Sequence, residues 1–341
     1  MRLDVTAPPP PDPSNAYGED ATAAALGKKL FVDEALTPSG TVSCATCHDP
    51  ARDFTDGAAQ STGIVRIDRN APALALSAHA KWQFWDGRAD SLWAQALAPF
   101  EDPREMASSR TFVAQQIRSR YESEYDAVFG AKYPLASEAD DTRIFVNVGK
   151  AIAAFERSLR VTSNPLDAYA AGDLSALTSL QKDALHRFFD VGCAQCHWGP
   201  RLTDDSFHVL RFPTGRQDRA ADRGRDGILA VPTAPEFAAS SKWSDGTRPG
   251  YDPLWWERRS DNMLGAFKTP ALRGVPTSAP YGHGGMHRTL LDVTRHYGQR
   301  GLPHDDPHAI GTTEQWVPNF DGNVQAALPA FLDVLTAGVV P

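Results

Sequence analysis

The sequence predicts a mainly α-helical chain in which one helix-rich unit is used twice, with long loops and little β structure. Three observations predict it. Apolar residues recur with a period near 3.6 in several stretches, β-hairpin signals are few, and the pentapeptide Cys-x-x-Cys-His stands at residues 44–48 and again at 193–197. The chain has 341 residues, 42% of them hydrophobic, with 34 Lys+Arg against 42 Asp+Glu for a formal net charge of −8. That length carries a prior of about two domains, and the apolar fraction is enough for a buried core. The acidic balance argues against a nucleic-acid partner, which would call for a basic stripe. No run of about 18 apolar residues occurs, so no membrane span is expected, and the start Met1-Arg2-Leu3-Asp4 lacks the apolar core of a signal peptide.

Taken in order, residues 1–17, with Ala7-Pro8-Pro9-Pro10-Pro11-Asp12-Pro13, are expected to form a flexible Pro-rich leader. Ordered structure is expected from about Gly18, in a first unit spanning 18–164. Within it, residues 111–129 place Phe112, Ile117, Tyr121, Tyr125 and Phe129 on one helical face, and Ile144, Val148, Ile152, Phe155 and Leu159 form a clearer stripe. Ser163-Asn164-Pro165 breaks the second helix and marks the boundary to a unit spanning 165–341. There Leu180, Ala184, Leu185 and Phe188 predict a helix leading into the second pentapeptide. Residues 199–262 are rich in Gly, Pro and Asp and read as long loops, in which Trp243, Trp255 and Trp256 serve as anchors or, for the last two, as a docking patch.

The two pentapeptides, Cys44-Ala45-Thr46-Cys47-His48 and Cys193-Ala194-Gln195-Cys196-His197, use every cysteine in the chain. The pattern is the attachment signature of c-type haem. Two thiols one turn apart form thioethers with the two vinyl groups of the porphyrin, and the next residue brings an imidazole beneath the iron. A redox Cys-x-x-Cys needs no following His, and a zinc site needs a second ligand pair that neither copy has nearby. Two covalent haems are therefore expected, with His48 and His197 as iron ligands. Because such haem is attached outside the bacterial cytoplasm, the expected location is the periplasm, with a signal segment already removed.

Further motifs are Leu30-Phe31, Ser43-Cys44 through Asp49-Pro50, Phe54-Thr55-Asp56-Gly57, Arg69-Asn70-Ala71-Pro72, Gln83-Phe84-Trp85-Asp86-Gly87-Arg88-Ala89, Phe267-Lys268-Thr269-Pro270-Ala271-Leu272-Arg273 and Ala279-Pro280-Tyr281. With these, the chain from about Gly27 to Leu335 resembles the bacterial di-haem cytochrome c peroxidases and their MauG-like relatives. The resemblance implies two mostly helical cytochrome c-like domains, hydrogen peroxide as substrate, and a calcium ion between the haems held by Asn70 and the carbonyls of Ser278 and Pro280. A purely structural Asn70 is the alternative.

The electron-fed peroxidases of that family carry a displaceable His in the loop before the Arg-Asn-x-Pro motif. Here that loop, Ser61-Thr62-Gly63-Ile64-Val65-Arg66-Ile67-Asp68, has neither His nor Met, and His79 beyond it reads as a packing residue. An open first haem is the implication. The family's distal Gln matches Gln83, but the position of its distal Glu holds Trp93, which cannot take a proton from peroxide. Trp93 is thus a distal-pocket residue or a core residue, and Asp86, Asp90, Glu101 or a water would move the proton. The Trp-for-Glu change in Ser91-Leu92-Trp93-Ala94-Gln95-Ala96-Leu97 resembles the MbnH-like branch, whose namesake oxidises a Trp of its partner protein to kynurenine.

For the second haem the position that carries Met in electron-accepting members matches Tyr297, with His296 and the nearby Met286 and Met263 as competitors. A thioether raises the iron potential, whereas a hard oxygen lowers it and suits storage of an oxidising equivalent. The expectation is a peroxide-dependent enzyme that oxidises aromatic residues of a partner protein, with Trp82 and Trp85 as electron relays or core aromatics. The alternatives are a peroxidase fed by a small cytochrome or cupredoxin and, in a different class, a di-haem electron carrier.

Overall fold

A computed structural model describes residues 7–340 other than 75, 136–139, 219, 231–234 and 247–259. Trp255 and Trp256, read as anchors or a docking patch, and residues 1–6 of the expected leader lie outside the described residues. The chain is mostly helical, and among the described residues its sheet is limited to two-residue strands.

The first unit is organised by α6 (Asp141–Ser158), the helix with the clearest apolar stripe, which is buried along almost its whole length. Against it pack α1 (Ala21–Val32), α3 (Leu92–Glu101) and α4 (Arg110–Arg120), enclosing Leu30, Phe31, Trp93, Phe100 and Phe145. The α1–α6 crossing needs Gly27, because a Cβ there would lie 1.9 Å from the carbonyl oxygen of Ala151. The single helix expected over 111–129 is two, α4 and α5 (Glu122–Phe129). Tyr121 breaks the run at φ −128°, ψ 16°, and its hydroxyl donates to Asp33 at 2.7 Å.

The second core is gathered by α8 (Ser179–Asp190), α10 (Leu290–Gly298), α11 (Gly322–Ala327) and α12 (Pro329–Leu332) around Phe188, Leu290, Phe320, Phe331 and Leu335. Between the cores, Asn164 caps α7 (Pro165–Ala170), accepting from the amides of Leu166 and Asp167, at the break the sequence marks. There β1 (Arg160–Val161) pairs antiparallel with β4 (Val339–Val340), so the end of the chain returns to the junction. Among its described residues the loop region 199–262 contains β2 (Phe207–His208), the short α9 (Arg225–Leu229), the start of a 3-10 turn at Asp261–Met263 and otherwise irregular backbone, and β2 pairs with β3 (Phe267–Lys268).

The described part of the leader is laid along the first unit. Ser14 is fully buried and accepts from the Trp93 indole at 2.9 Å, Asn15 donates to the Lys150 carbonyl at 3.0 Å, and Arg157 donates to Pro10 at 2.9 Å. A segment of the second unit also packs into the first. Trp243 joins the first core, where the fully buried Lys150 donates to its carbonyl at 2.9 Å and pairs with Asp245 at 2.7 Å.

Candidate active site

Each Cys-x-x-Cys-His motif closes on itself by the same bond. In α2 (Cys44–Cys47) the amide of His48 donates to the carbonyl of Cys44 at 3.0 Å, and the amide of His197 donates to Cys193 at the same distance. Each imidazole is then aimed by a carbonyl further on. His48 Nδ1 meets the oxygen of Phe54 at 3.3 Å and His197 Nδ1 that of Leu202 at 2.9 Å. Both acceptors are non-glycine residues in the left-handed region, Phe54 at φ 60° and Leu202 at φ 56°, a costly conformation retained twice to turn the same carbonyl toward the same ring. With Nδ1 occupied, the tautomer is fixed and Nε2 is left for a metal. Burial lowers the pKa of both rings and keeps them neutral, the form that ligates iron.

Both histidines line one cavity of about 610 Å³ that runs from the first motif to the second. Its wall includes Cys47, Cys193 and Cys196, and it is largely apolar, with Leu74, Leu76, Phe188, Leu290, Leu328 and Leu332. Cys47 at the first end, a thiol pair at the second, a carbonyl-oriented imidazole at each end and an apolar wall fit two porphyrins.

Gln83 is buried on this wall; its Nε2 donates to Ser77 O at 3.0 Å and its Oε1 is left without a hydrogen-bond partner among the described residues. Trp93 does not line the cavity, and the distal placement is corrected. Leu92, Gln95 and Pro99 form the face of α3 turned to the cavity, and Trp93, one and two residues from the first two, points away into the packing against α6 and Ser14. The carboxylates weighed in its place are committed elsewhere. Asp86 is clamped by Arg69 and Arg88, whose charges outweigh burial and hold its carboxyl below the usual range; Asp90 accepts from Ala239, and Glu101 pairs with Arg110.

Of the carboxylates that line the cavity, Glu105, just after α3, is the one that no arginine pairs with among the described residues. Its side chain has no hydrogen-bond or ion-pair partner among the described residues, and burial raises its pKa against the opposing charge of Arg88. Its backbone holds the loop in which the resemblance expects a distal ligand: Ile64 donates to Glu105 O at 2.9 Å and Val65 to Arg104 O at 3.1 Å. Sequence reading missed it because no motif contains it.

At the second end Tyr297, on α10, lines the cavity, and burial raises its hydroxyl pKa. His296 turns to the other side, where it meets Leu210 O at 2.8 Å. None of the described methionines, Met106, Met263 and Met286, lines the cavity, and Met286 is 51% exposed. Asn70, Ser278 and Pro280 line it together; Asn70 Nδ2 donates to Ala58 O at 2.8 Å, leaving Oδ1 as a free oxygen donor suited to a hard cation. Trp82 and Trp85 line the wall as well, Trp85 donating to Asn70 O at 2.9 Å. His208 and Trp316 complete it, their rings edge to face at 5.4 Å, and Trp316 is 42% exposed to solvent.

Residues 21–175 match the di-haem cytochrome c peroxidase family. The methylamine utilization protein MauG of Methylorubrum extorquens is 35% identical over 283 residues, covering 81% of this chain and 69% of the relative. The chain belongs to the di-haem cytochrome c peroxidase and MauG family. Like the family, it is a haem-dependent oxidoreductase. The cytochrome c551 peroxidase of Pseudomonas aeruginosa is 32% identical over 282 residues, covering 81% of this chain and 72% of that protein. Among solved structures, a MauG-like protein associated with microbial copper homeostasis superposes with a TM-score of 0.74 at 25% identity, covering 97% of this chain and 93% of that one. The diheme peroxidase BthA from Burkholderia thailandensis gives 0.69 at 24% identity, covering 93% and 86%, a likeness of fold. The di-haem family thus includes relatives named for both MauG and peroxidase activity.

Proposed function

We propose that this chain is a periplasmic enzyme with two covalent haems, which reacts with hydrogen peroxide at an open haem on Cys44 and Cys47 and oxidises aromatic residues of a partner protein. The observation that carries the reading is the pairing at the two ends of the cavity. Tyr297 reaches the second end where none of the described methionines does, and the loop 61–68 offers the first end neither His nor Met. Bound there, the haems would supply two-electron reduction of peroxide to water, drawing the electrons one at a time.

The protein residues have separate tasks. His48 and His197 present Nε2 to the two irons, each oriented through its Nδ1. Gln83, anchored through its amide nitrogen, offers its oxygen to the peroxide proton and orients the molecule. Glu105 takes the proton from the inner oxygen and returns it to the outer one, the transfer that O–O cleavage needs. Its isolation from other donors and its raised pKa suit it to both halves of that transfer. Tyr297 supplies a hard oxygen ligand to the second iron. Asn70 Oδ1, with the carbonyls of Ser278 and Pro280, holds calcium between the two ends. Trp316, which both lines the cavity and reaches solvent, is the route to a docked aromatic side chain.

The test uses the haem-loaded protein. Its resting ferric spectrum is expected to contain one high-spin haem, and peroxide is expected to modify aromatic residues of a partner encoded beside it. A spectrum of low-spin, six-coordinate haem alone, or rapid turnover with a reduced small cytochrome and no protein modification, would contradict the reading and favour the electron-fed peroxidase.

A further inference from the structure

The cavity is lined by seven cationic side chains, and six of them are neutralised by the protein itself: Arg69 by Asp86 and Asp222, Arg88 by Asp86, Arg104 by Asp102, Arg201 by Asp205, Arg216 by Asp218, and Arg273 by Asp167. The seventh is Lys268. Its Nζ has no hydrogen bond and no ion pair among the described residues. It does not hang at the surface. Strand β3 holds it by pairing with β2, and its backbone amide donates to Trp85 O at 2.8 Å, so the side chain starts from a fixed point on the cavity wall.

The nearest acidic groups are already engaged. Asp205 is bound by Arg201, and Asp204 accepts from His208 at 3.0 Å and from the amide of Ser206 at 2.9 Å. Both attract Lys268 from a distance while Arg201 repels it, and burial lowers its pKa. A partly buried ammonium without a counter-ion is costly, and none of the described residues is placed to offset the cost. An anionic group of the cavity's occupant would. A haem has one kind of anionic group, its two propionate carboxylates. Strand β2, which sets Phe207 opposite Lys268, and the Arg201–Asp205 pair lie in the stretch that follows Cys193–His197, which points to the second haem.

We propose that Lys268 holds a propionate of the haem attached at Cys193 and Cys196, and that its positive charge raises the potential of that haem. This rests on a haem being bound at the second motif but not on the choice between protein oxidase and peroxidase. Lys268 is in this account a positioning and tuning residue and touches no substrate. A cation close to the iron disfavours loss of an electron, so the lysine works against the hard oxygen of Tyr297 and keeps the stored equivalent oxidising enough to act on an aromatic side chain.

The test compares the haem-loaded wild type with K268M and K268R. Pyridine haemochrome counts the covalent haems, a redox titration followed in the visible spectrum gives the two midpoint potentials, and resonance Raman reports the propionate bending bands. With two haems present, K268M is expected to lower the midpoint potential of the second haem and shift its propionate band, leaving the first haem unchanged. K268R is expected to keep the potential, because the charge is kept, and to shift the propionate band, because a planar guanidinium replaces a point donor. Wild-type propionate bands in K268R, or a wild-type second-haem potential in K268M, would overturn the proposal. A haem count of one in the wild type would instead remove its foundation and that of the proposed function together.

Discussion

On α3 the face turned to the cavity carries Leu92, Gln95 and Pro99 and not Trp93, which leaves the proton transfer proposed for Glu105 to be tested at this scale. Glu105→Gln removes the proton carrier while keeping shape and hydrogen-bonding capacity, and is expected to slow the reaction with peroxide by about 100-fold; stopped-flow mixing of the haem-loaded variant measures it. Trp93→Phe is expected to leave that rate within about twofold and to cost roughly 1–2 kcal/mol of stability by losing the bond to Ser14 and part of the ring volume. Thermal unfolding checks the second half of that statement. At this scale the six residues proposed for haem attachment are legible in the sequence, since Cys44, Cys47, His48, Cys193, Cys196 and His197 lie within two pentapeptides, and both histidines line the one cavity. Tyr297 was reached only through the resemblance, and the structure adds that α10 turns it to the cavity and His296 away from it. Glu105 was not legible, because its environment is made by residues 61–68 and 88, far off in sequence. For Trp93, helical register overrules positional matching: Leu92 and Gln95 face the cavity, and the residue between them cannot.

The elements that the 3.6-residue period marked most clearly, α6 and α8, are present where the apolar stripes fall, because one face of each is buried in a core. The misreadings have a common cause in contacts distant in sequence. A local pattern does not reveal that Tyr121 is pulled out of the helical run by Asp33, 88 residues away. Nor does Pro-rich composition reveal that Pro10 and Asn15 have partners at Arg157 and Lys150. The tightest element pair is α1 on α6, and its limit is Gly27. Gly27→Ala is expected to destabilise the fold by about 3 kcal/mol, because the added methyl meets a backbone carbonyl that cannot yield without moving α6. Chemical denaturation, with an unchanged dependence on denaturant concentration, is the measurement.

Across the whole molecule the two halves are joined at the cavity by charge. Arg69 and Asp86 belong to the first half, Asp222 to the second, and Arg69 binds both carboxylates. Burial raises the pKa of Asp222, but the hydrogen bonds and charge of Arg69 outweigh it and bring it down to about 2. A carboxyl whose pKa is lower in the folded state than in the unfolded chain contributes stability above its unfolded value, near 3.9, and loses it as pH falls toward 2. The wild type is therefore expected to lose roughly 2 kcal/mol from this group between about pH 4 and pH 2, a loss that Asp222→Asn, already less stable at neutral pH, does not show. Unfolding of both proteins across that range tests it. The same cavity carries the central claim, that one end is open to peroxide and the other holds an equivalent through Tyr297. The most direct test is to add one equivalent of hydrogen peroxide to the haem-loaded ferric protein with no electron donor and follow the haem absorption. The account predicts a persistent change that takes two electrons from an added reductant to reverse; a spectrum that stays unchanged until a reduced cytochrome is supplied would contradict it.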